Sequence, residues 1–228
     1  MNGGVPQLVV LPDAPAVAAA AADLVLAAVD RVLAERGGRA DIALAGGTTP
    51  GLLYDALTLR RADWSGVHLW IGDERCVPHD HPDSNVRLAH ERFPAPGAVL
   101  HAPPPVGTPE LRAAAYAAQL KRYVLDLVIL GLGEDAHTAS LFPGNPAVDD
   151  ERTVVPVHDA PKPPPERVTL GLGVLSAARQ RVMLVTGASK RAALAQLLAP
   201  ASPSAPASLL PAANTVVFAD QLAASSSP

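Results

Sequence analysis

Seven short apolar runs punctuate the chain, at residues 7–11, 41–45, 67–71, 125–130, 168–170, 181–185 and 215–218. They are rich in valine, isoleucine and leucine, bounded by glycine or proline, and several show no polar alternation, which predicts strands, several of them buried on both faces. Helix-like stretches lie between them, at residues 14–36, 50–59, 85–92, 109–123 and 189–198. Strand and helix alternate, so the pattern predicts an α/β fold with a mainly parallel sheet flanked by helices. Pro-rich stretches at 102–109, 160–165 and 200–211 cannot continue a helix or a central strand and predict loops. The Ser-rich end, 225–228, predicts a frayed tail.

Composition narrows the picture in three ways. With 228 residues, 49% of them hydrophobic, the chain can bury one large core, so residues 1–228 are expected to form one domain. Aromatic residues make up only 4%, beside 24 prolines, so alanine, valine and leucine must supply that core and helices are expected to pack through alanine faces. The net charge of -4, with no run of lysine or arginine, argues against a nucleic-acid partner. The Ala-rich stretch 14–34 is broken by Asp23, Asp30 and Arg31 and follows no basic segment, so it reads as a soluble helix, with no membrane partner. Cys76 is the one cysteine, which excludes an internal disulfide or a Cys-based zinc site and suits a reducing, cytoplasmic setting. A monomer is the expected state.

Ligands of open parallel sheets sit outside the carboxyl ends of the strands, so the residues that follow each run carry the chemistry. After the second comes Gly46-Gly47-Thr48-Thr49-Pro50, which suits an anion seat at a helix start or, more plainly, a tight turn capped by Thr48 or Thr49. The third ends in Gly72-Asp73-Glu74-Arg75-Cys76, where Arg75 can fork onto a phosphate and Asp73 can hold a sugar hydroxyl or orient a histidine; a solvated salt-bridge cluster is the alternative. His79, His81 and Asp83 have metal-like composition but no regular ligand spacing, so no metal site is expected. Cys76 has no base near it in sequence and reads as structural or incidental.

The run 125–130 leads into Gly131-Leu132-Gly133-Glu134-Asp135-Ala136-His137-Thr138-Ala139-Ser140. A lone histidine is usually structural, but one in a Gly-rich loop after a buried strand is placed to activate water as a general base. Asp135 or Asp73 can orient it, and loop amides can stabilise an oxyanion. The same segment fits a dinucleotide fingerprint, which must open a long helix; Pro143-Gly144 and Pro146 would stop any helix after a turn or two, so no nicotinamide cofactor is expected. After 181–185, Thr186-Gly187-Ala188-Ser189-Lys190 starts another helix, where Lys190 either reaches a phosphate or is an exposed base on a capped helix.

Together, Ala45 to Pro50, Asp73 to Pro78, Asp80 to Asn85, Gly131 to Gly144, Arg167 to Leu170 and Gly187 to Lys190 resemble, in order and over nearly the whole chain, the 6-phosphogluconolactonase family. The resemblance implies a Rossmann-like α/β domain that hydrolyses 6-phospho-D-glucono-1,5-lactone, a step of the oxidative pentose phosphate pathway, without metal or organic cofactor. Carried over by matching motif, His137 is the base, and Gly46, Gly47 and Thr48 line the substrate site. Arg75 and Lys190 hold the phosphate, Asp73 lies near sugar and histidine, and Asn85 and Arg167 contribute further contacts. Ala136 departs from the glycine that many members carry; if the position needs a positive φ, alanine strains the loop by about 1 kcal/mol.

Two rival readings are a glucosamine-6-phosphate deaminase or isomerase and a non-catalytic sugar-phosphate sensor. The first needs a carboxylate shortly after the histidine, where Ser140-Leu141-Phe142 offers none. The second normally adds a DNA-binding module, for which no room is expected before the first strand at Gln7.

Overall fold

The structure, a computed structural model, describes residues 4–121 and 123–225, so most of the expected tail, 226–228, lies outside the described residues. The chain runs β1 (Gln7–Leu11), α1 (Ala14–Glu35), β2 (Ala40–Leu44), α2 (Thr48–Arg60), β3 (Val67–Ile71), β4 (Asp73–Arg75), α3 (Asn85–Arg92) and β5 (Val99–His101). It continues through α4 (Pro109–Leu120), β6 (Leu127–Gly131), β7 (Val154–Val157), β8 (Arg167–Leu170), α5 (Leu172–Ala177), β9 (Gln180–Val185), α6 (Arg191–Leu198), β10 (Thr215–Asp220) and α7 (Gln221–Ala224).

Seven strands form one parallel sheet in the order β1-β10-β9-β6-β2-β3-β5. Its five inner strands are buried on both faces, as their unbroken apolar runs require, while the edge strands β1 and β5 stay partly exposed. In β6, Leu127 and Ile129 enter one hydrophobic cluster with α1, α2 and α3, while Val128 and Leu130 enter the other with α4 and α6. Helix α1 shows how a core poor in aromatics is filled. Asp13 caps it by accepting the Ala16 N–H at 2.9 Å, and its buried face is Val17, Ala18, Ala21, Ala22, Val25, Ala28, Val29 and Val32, which lets it lie close against α2 and β10.

From β2 the chain moves outward to β3 and β5; after returning to β6 it moves the other way, to β9 and β10. Neighbouring β2 and β6 therefore diverge at their carboxyl ends and open a crevice, the topological switch point where open α/β sheets bind ligands.

Three departures from the sequence pattern matter. The run at 168–170, expected beside the other strands, belongs instead to a separate antiparallel sheet in the order β4-β8-β7. Neither partner was predicted, because β4 is Asp73-Glu74-Arg75, with no apolar residue, and β7 contains Pro156, tolerated because β7 is the sheet's edge. β6 starts at Leu127 rather than 125, and the buried Asp126 just before it is tied to neighbouring elements, accepting the Asp41 N–H at 2.9 Å and pairing with Arg36 at 2.6 Å. Finally, no α-helix follows the glycine loop among the described residues: residues 132–145 are turns, bends and one isolated bridge, Thr138 with Leu141, and only a single 3-10 turn, Pro146–Val148, comes after them.

Candidate active site

His137 hangs over the switch point at the end of β6. The loop that carries it is closed on itself, with the Gly133 N–H donating to His137 O at 2.8 Å, the Ala136 N–H to Gly133 O at 3.1 Å and the Thr138 hydroxyl to Gly131 O at 3.0 Å. A side chain at Gly133 would collide with the His137 ring and the Asp135 carboxylate, so that glycine is required by the imidazole's seat and not by a pyrophosphate. Asp135 takes Nδ1 of His137 in a close hydrogen bond and also accepts the His137 backbone N–H at 3.3 Å. The ring rests against Phe142, 4.4 Å between centroids, and only 16% of the side chain is exposed. Burial holds the imidazole below the usual histidine pKa, against the pull of Asp135 and Asp73. Burial alone would raise Asp135; its hydrogen bond to His137 and the histidine's charge outweigh that and leave the carboxyl below the usual range.

Of the two acids considered as the histidine's partner, Asp135 is the one bonded to it. Asp73 is engaged elsewhere, accepting from the Ser140 hydroxyl at 2.6 Å and from the Asn85 amide at 3.4 Å. The Asn85 amide also donates to Asp73 O at 2.6 Å and fills the space beside Gly46, where a side chain would collide with it.

Sequence reasoning missed the residue that holds this corner. Glu74, fully buried, receives the N–H groups of Arg75 at 2.7 Å, Asn85 at 2.8 Å and Val86 at 2.8 Å, and the Ser84 hydroxyl at 2.9 Å. Its carboxylate thus occupies the start of α3, where unpaired N–H groups favour a negative charge, and ties that helix to β4.

The anion seat is built differently from the turn expected. Gly47, at φ 108°, precedes α2 and offers no side-chain cap, so neither Thr48 nor Thr49 is the N-cap. Thr49 instead shares a hydroxyl hydrogen bond with Thr186 at 2.6 Å, joining the first turn of α2 to the loop that follows β9. Gly187 repeats the arrangement at φ 95° before Lys190, which sits on a short 3-10 turn rather than inside α6. Lys190 is partly buried, and burial lowers its pKa against the opposing charges of Glu134 and Asp135.

One cavity of about 300 Å³ gathers Gly46, Gly47, Asp73, Arg75, Asn85, Gly131, Gly133, His137, Arg167 and Lys190. Thr48 lines an adjoining cavity of about 340 Å³ that shares Gly46, Gly47 and Lys190. Arg75 donates to Asp83 O at 2.5 Å, while its buried Nε has no partner among the described residues. Arg167 lies beneath the cavity with its guanidinium on backbone, to Lys162 O at 2.6 Å and Pro164 O at 3.0 Å. Lys162 lines the cavity too and escaped the sequence reading, because its Pro-rich surroundings read as a mere connection. Away from this wall, His79 faces Pro103 O at 2.9 Å while His81 accepts the Asp83 N–H at 3.1 Å. Burial pushes the Cys76 thiol up, which suits a packing role.

Ala136 has φ 60° and is fully buried, so the position does need a left-handed backbone. Alanine there costs about 1–2 kcal/mol, yet glycine would forfeit a buried methyl and gain unfolded-chain freedom, each near 0.5–1 kcal/mol. Ala136→Gly is therefore expected to change stability by less than about 1 kcal/mol, whereas Ala136→Val, β-branched and overpacked, should cost about 3 kcal/mol or more in urea unfolding. Equal effects from the two would contradict this account.

A family model described as glucosamine-6-phosphate isomerases/6-phosphogluconolactonase matches residues 12–218. The 6-phosphogluconolactonase of Streptomyces coelicolor is 38% identical over 98% of this chain and 95% of its own, and that of Nostoc sp. is 38% identical over 85% of each. The crystal structure of a 6-phosphogluconolactonase from Shewanella baltica matches with a TM-score of 0.86 at 26% identity, over 95% of this chain and all of the other. With likeness in sequence and fold along nearly its whole length, this chain belongs to the 6-phosphogluconolactonase family, within the superfamily shared with the glucosamine-6-phosphate isomerases.

Proposed function

We propose that the chain hydrolyses 6-phospho-D-glucono-1,5-lactone to 6-phosphogluconate, with His137 as general base. The observation that carries this reading is the Asp135–His137 pair at the edge of a cavity whose other walls hold Arg75, Lys162 and Lys190. With Nδ1 committed to Asp135, Nε2 is the nitrogen left for water, and a depressed pKa keeps it unprotonated at neutral pH. Nε2 takes a proton as water oxygen bonds to the lactone C1. The tetrahedral intermediate then collapses with cleavage of the bond between C1 and the ring oxygen, and the imidazolium returns its proton to that oxygen. A low pKa serves the second step as well as the first.

Three of the loop amides considered for the oxyanion, those of Gly133, Ala136 and His137, already bond within the loop. Stabilisation of the developing charge is assigned to Arg75 and to the loop's remaining N–H groups, leaving Lys162 and Lys190 to bind the anion. The phosphate is placed between Lys190 and the uncapped start of α2 at Gly47 and Thr48, within reach of Arg75. Asp73 and Asn85 face the sugar hydroxyls.

Purified protein should accelerate loss of freshly made lactone over its spontaneous opening, with a chelator present, and release no ammonia from glucosamine-6-phosphate. No acceleration of the lactone would refute the assignment. Lys190→Ala is expected to raise KM about 10-fold to 100-fold with little change in kcat, as loss of a charge-assisted phosphate contact requires; an unchanged KM would remove it from the phosphate seat.

A further inference from the structure

The stretch 160–165 is built as a rigid arm. Pro161, Pro163, Pro164 and Pro165 fix four of its six φ angles, and the Ala160 N–H closes it onto Pro165 O at 3.0 Å. Both flanks are fastened: Glu166 O accepts the Cys76 N–H at 2.8 Å, and the Glu166 carboxylate takes His158 Nδ1 at 2.7 Å. From below, the buried Arg167 guanidinium reaches two of the arm's carbonyls, Lys162 O and Pro164 O, with its Cζ over the Phe142 ring, 5.4 Å from the ring centre. Lys162 alone on the arm carries a charge, and it has no ion pair among the described residues although it lines the cavity that holds His137 and Lys190.

Resting on the lactonase reading above, we infer that Arg167 is a positioning residue rather than a substrate ligand: it holds the proline arm so that the Lys162 ammonium forms the far cationic wall of the site. A buried guanidinium with Nε and one Nη fixed on backbone carbonyls is committed in place and orientation to the arm, while an ammonium on a stiff arm loses little freedom when an anion arrives. The arm's charge reaches the base as well. Lys162 opposes protonation of both His137 and Lys190, set against Asp135 on the histidine's own loop, Asp73 on β4 and Glu134 beside Lys190.

The test is a double-mutant cycle of Lys162→Met and Arg167→Met, read by KM, by calorimetric binding of 6-phosphogluconate and by NMR titration of the His137 ring. Each single variant should raise KM and weaken product binding about 10-fold while kcat changes less than about 3-fold, and each should move the His137 titration upward. The double variant should be no worse than the stronger single one, because Arg167 acts through Lys162. Multiplying effects would mean that Arg167 touches substrate itself, and an unmoved histidine titration in both singles would mean that the arm is only scaffolding; either result overturns the inference. Arg167→Gln, which keeps one donor for the arm, should fall between wild type and Arg167→Met and serves if the methionine variant unfolds. Wild-type failure to open the lactone would refute the reaction, whereas the histidine titrations judge the arm without any turnover.

Discussion

His137→Ala should lower kcat by about 100-fold to 10,000-fold, the range a positioned general base contributes, and leave binding of 6-phosphogluconate within a few-fold of wild type. The side chain packs on Gly133 and Phe142 at the cavity wall and no backbone hydrogen bond of the loop depends on it, so its removal leaves the fold in place. The sign of the pH dependence follows from the same geometry. Burial lowers the folded pKa of His137 below the ordinary histidine value, and only the neutral ring accepts a proton. In wild type, kcat/KM should therefore be level at neutral pH and fall as pH drops through a midpoint below that ordinary value; His137→Ala should lose this limb. Asp135→Asn should raise no barrier to binding but should reduce kcat, since an amide in place of the carboxylate no longer favours the tautomer with Nε2 free. A fully active alanine variant, or an acid limb that persists in it, would remove His137 from the mechanism.

The largest effect on stability is expected from Glu74→Leu. Leucine fits the volume but abandons three backbone N–H groups and the Ser84 hydroxyl in a fully buried place. Breaking a buried carboxylate network of this kind costs about 3–5 kcal/mol, which for a chain of this size lowers Tm by about 10 °C. Glu74→Gln keeps one acceptor oxygen and should cost less. Because the same carboxylate fixes Asn85 and the backbone of Arg75, surviving Glu74→Leu protein should also show a raised KM. Thermal melting within about 2 °C of wild type would show that the start of α3 is held by something else.

What could be read in advance followed from burial. Strands whose both faces are covered have no polar alternation, so β3 was bounded to the residue, while β1, an exposed edge strand, was bounded by Pro6 and Pro12, and α3 was bounded at 85–92. The lining of the cavity could be read for a related reason: residues at or just past the carboxyl ends of parallel strands converge, and Gly46, Asp73, His137 and Lys190 all lie there. β4 and β7 escaped because their strand character comes from β8 pairing with them and not from their own composition.

The sequence by itself determined the α/β alternation and the chemistry-bearing loops, since period, punctuation and residue type are local properties; that Ala136 takes a left-handed backbone was decided by the folded loop. Only the tertiary structure decided which acid meets the histidine. Asp73 and Asp135 stand at neighbouring strand ends, and the choice fell to Asp135 because Ser140 and Asn85 had already taken up Asp73. Tertiary structure likewise turned Glu74 from a presumed surface charge into the anchor of α3, and brought Lys162 from a proline-rich connection to the wall of the cavity, because hydrogen-bond partners distant in sequence are set by packing and not by spacing.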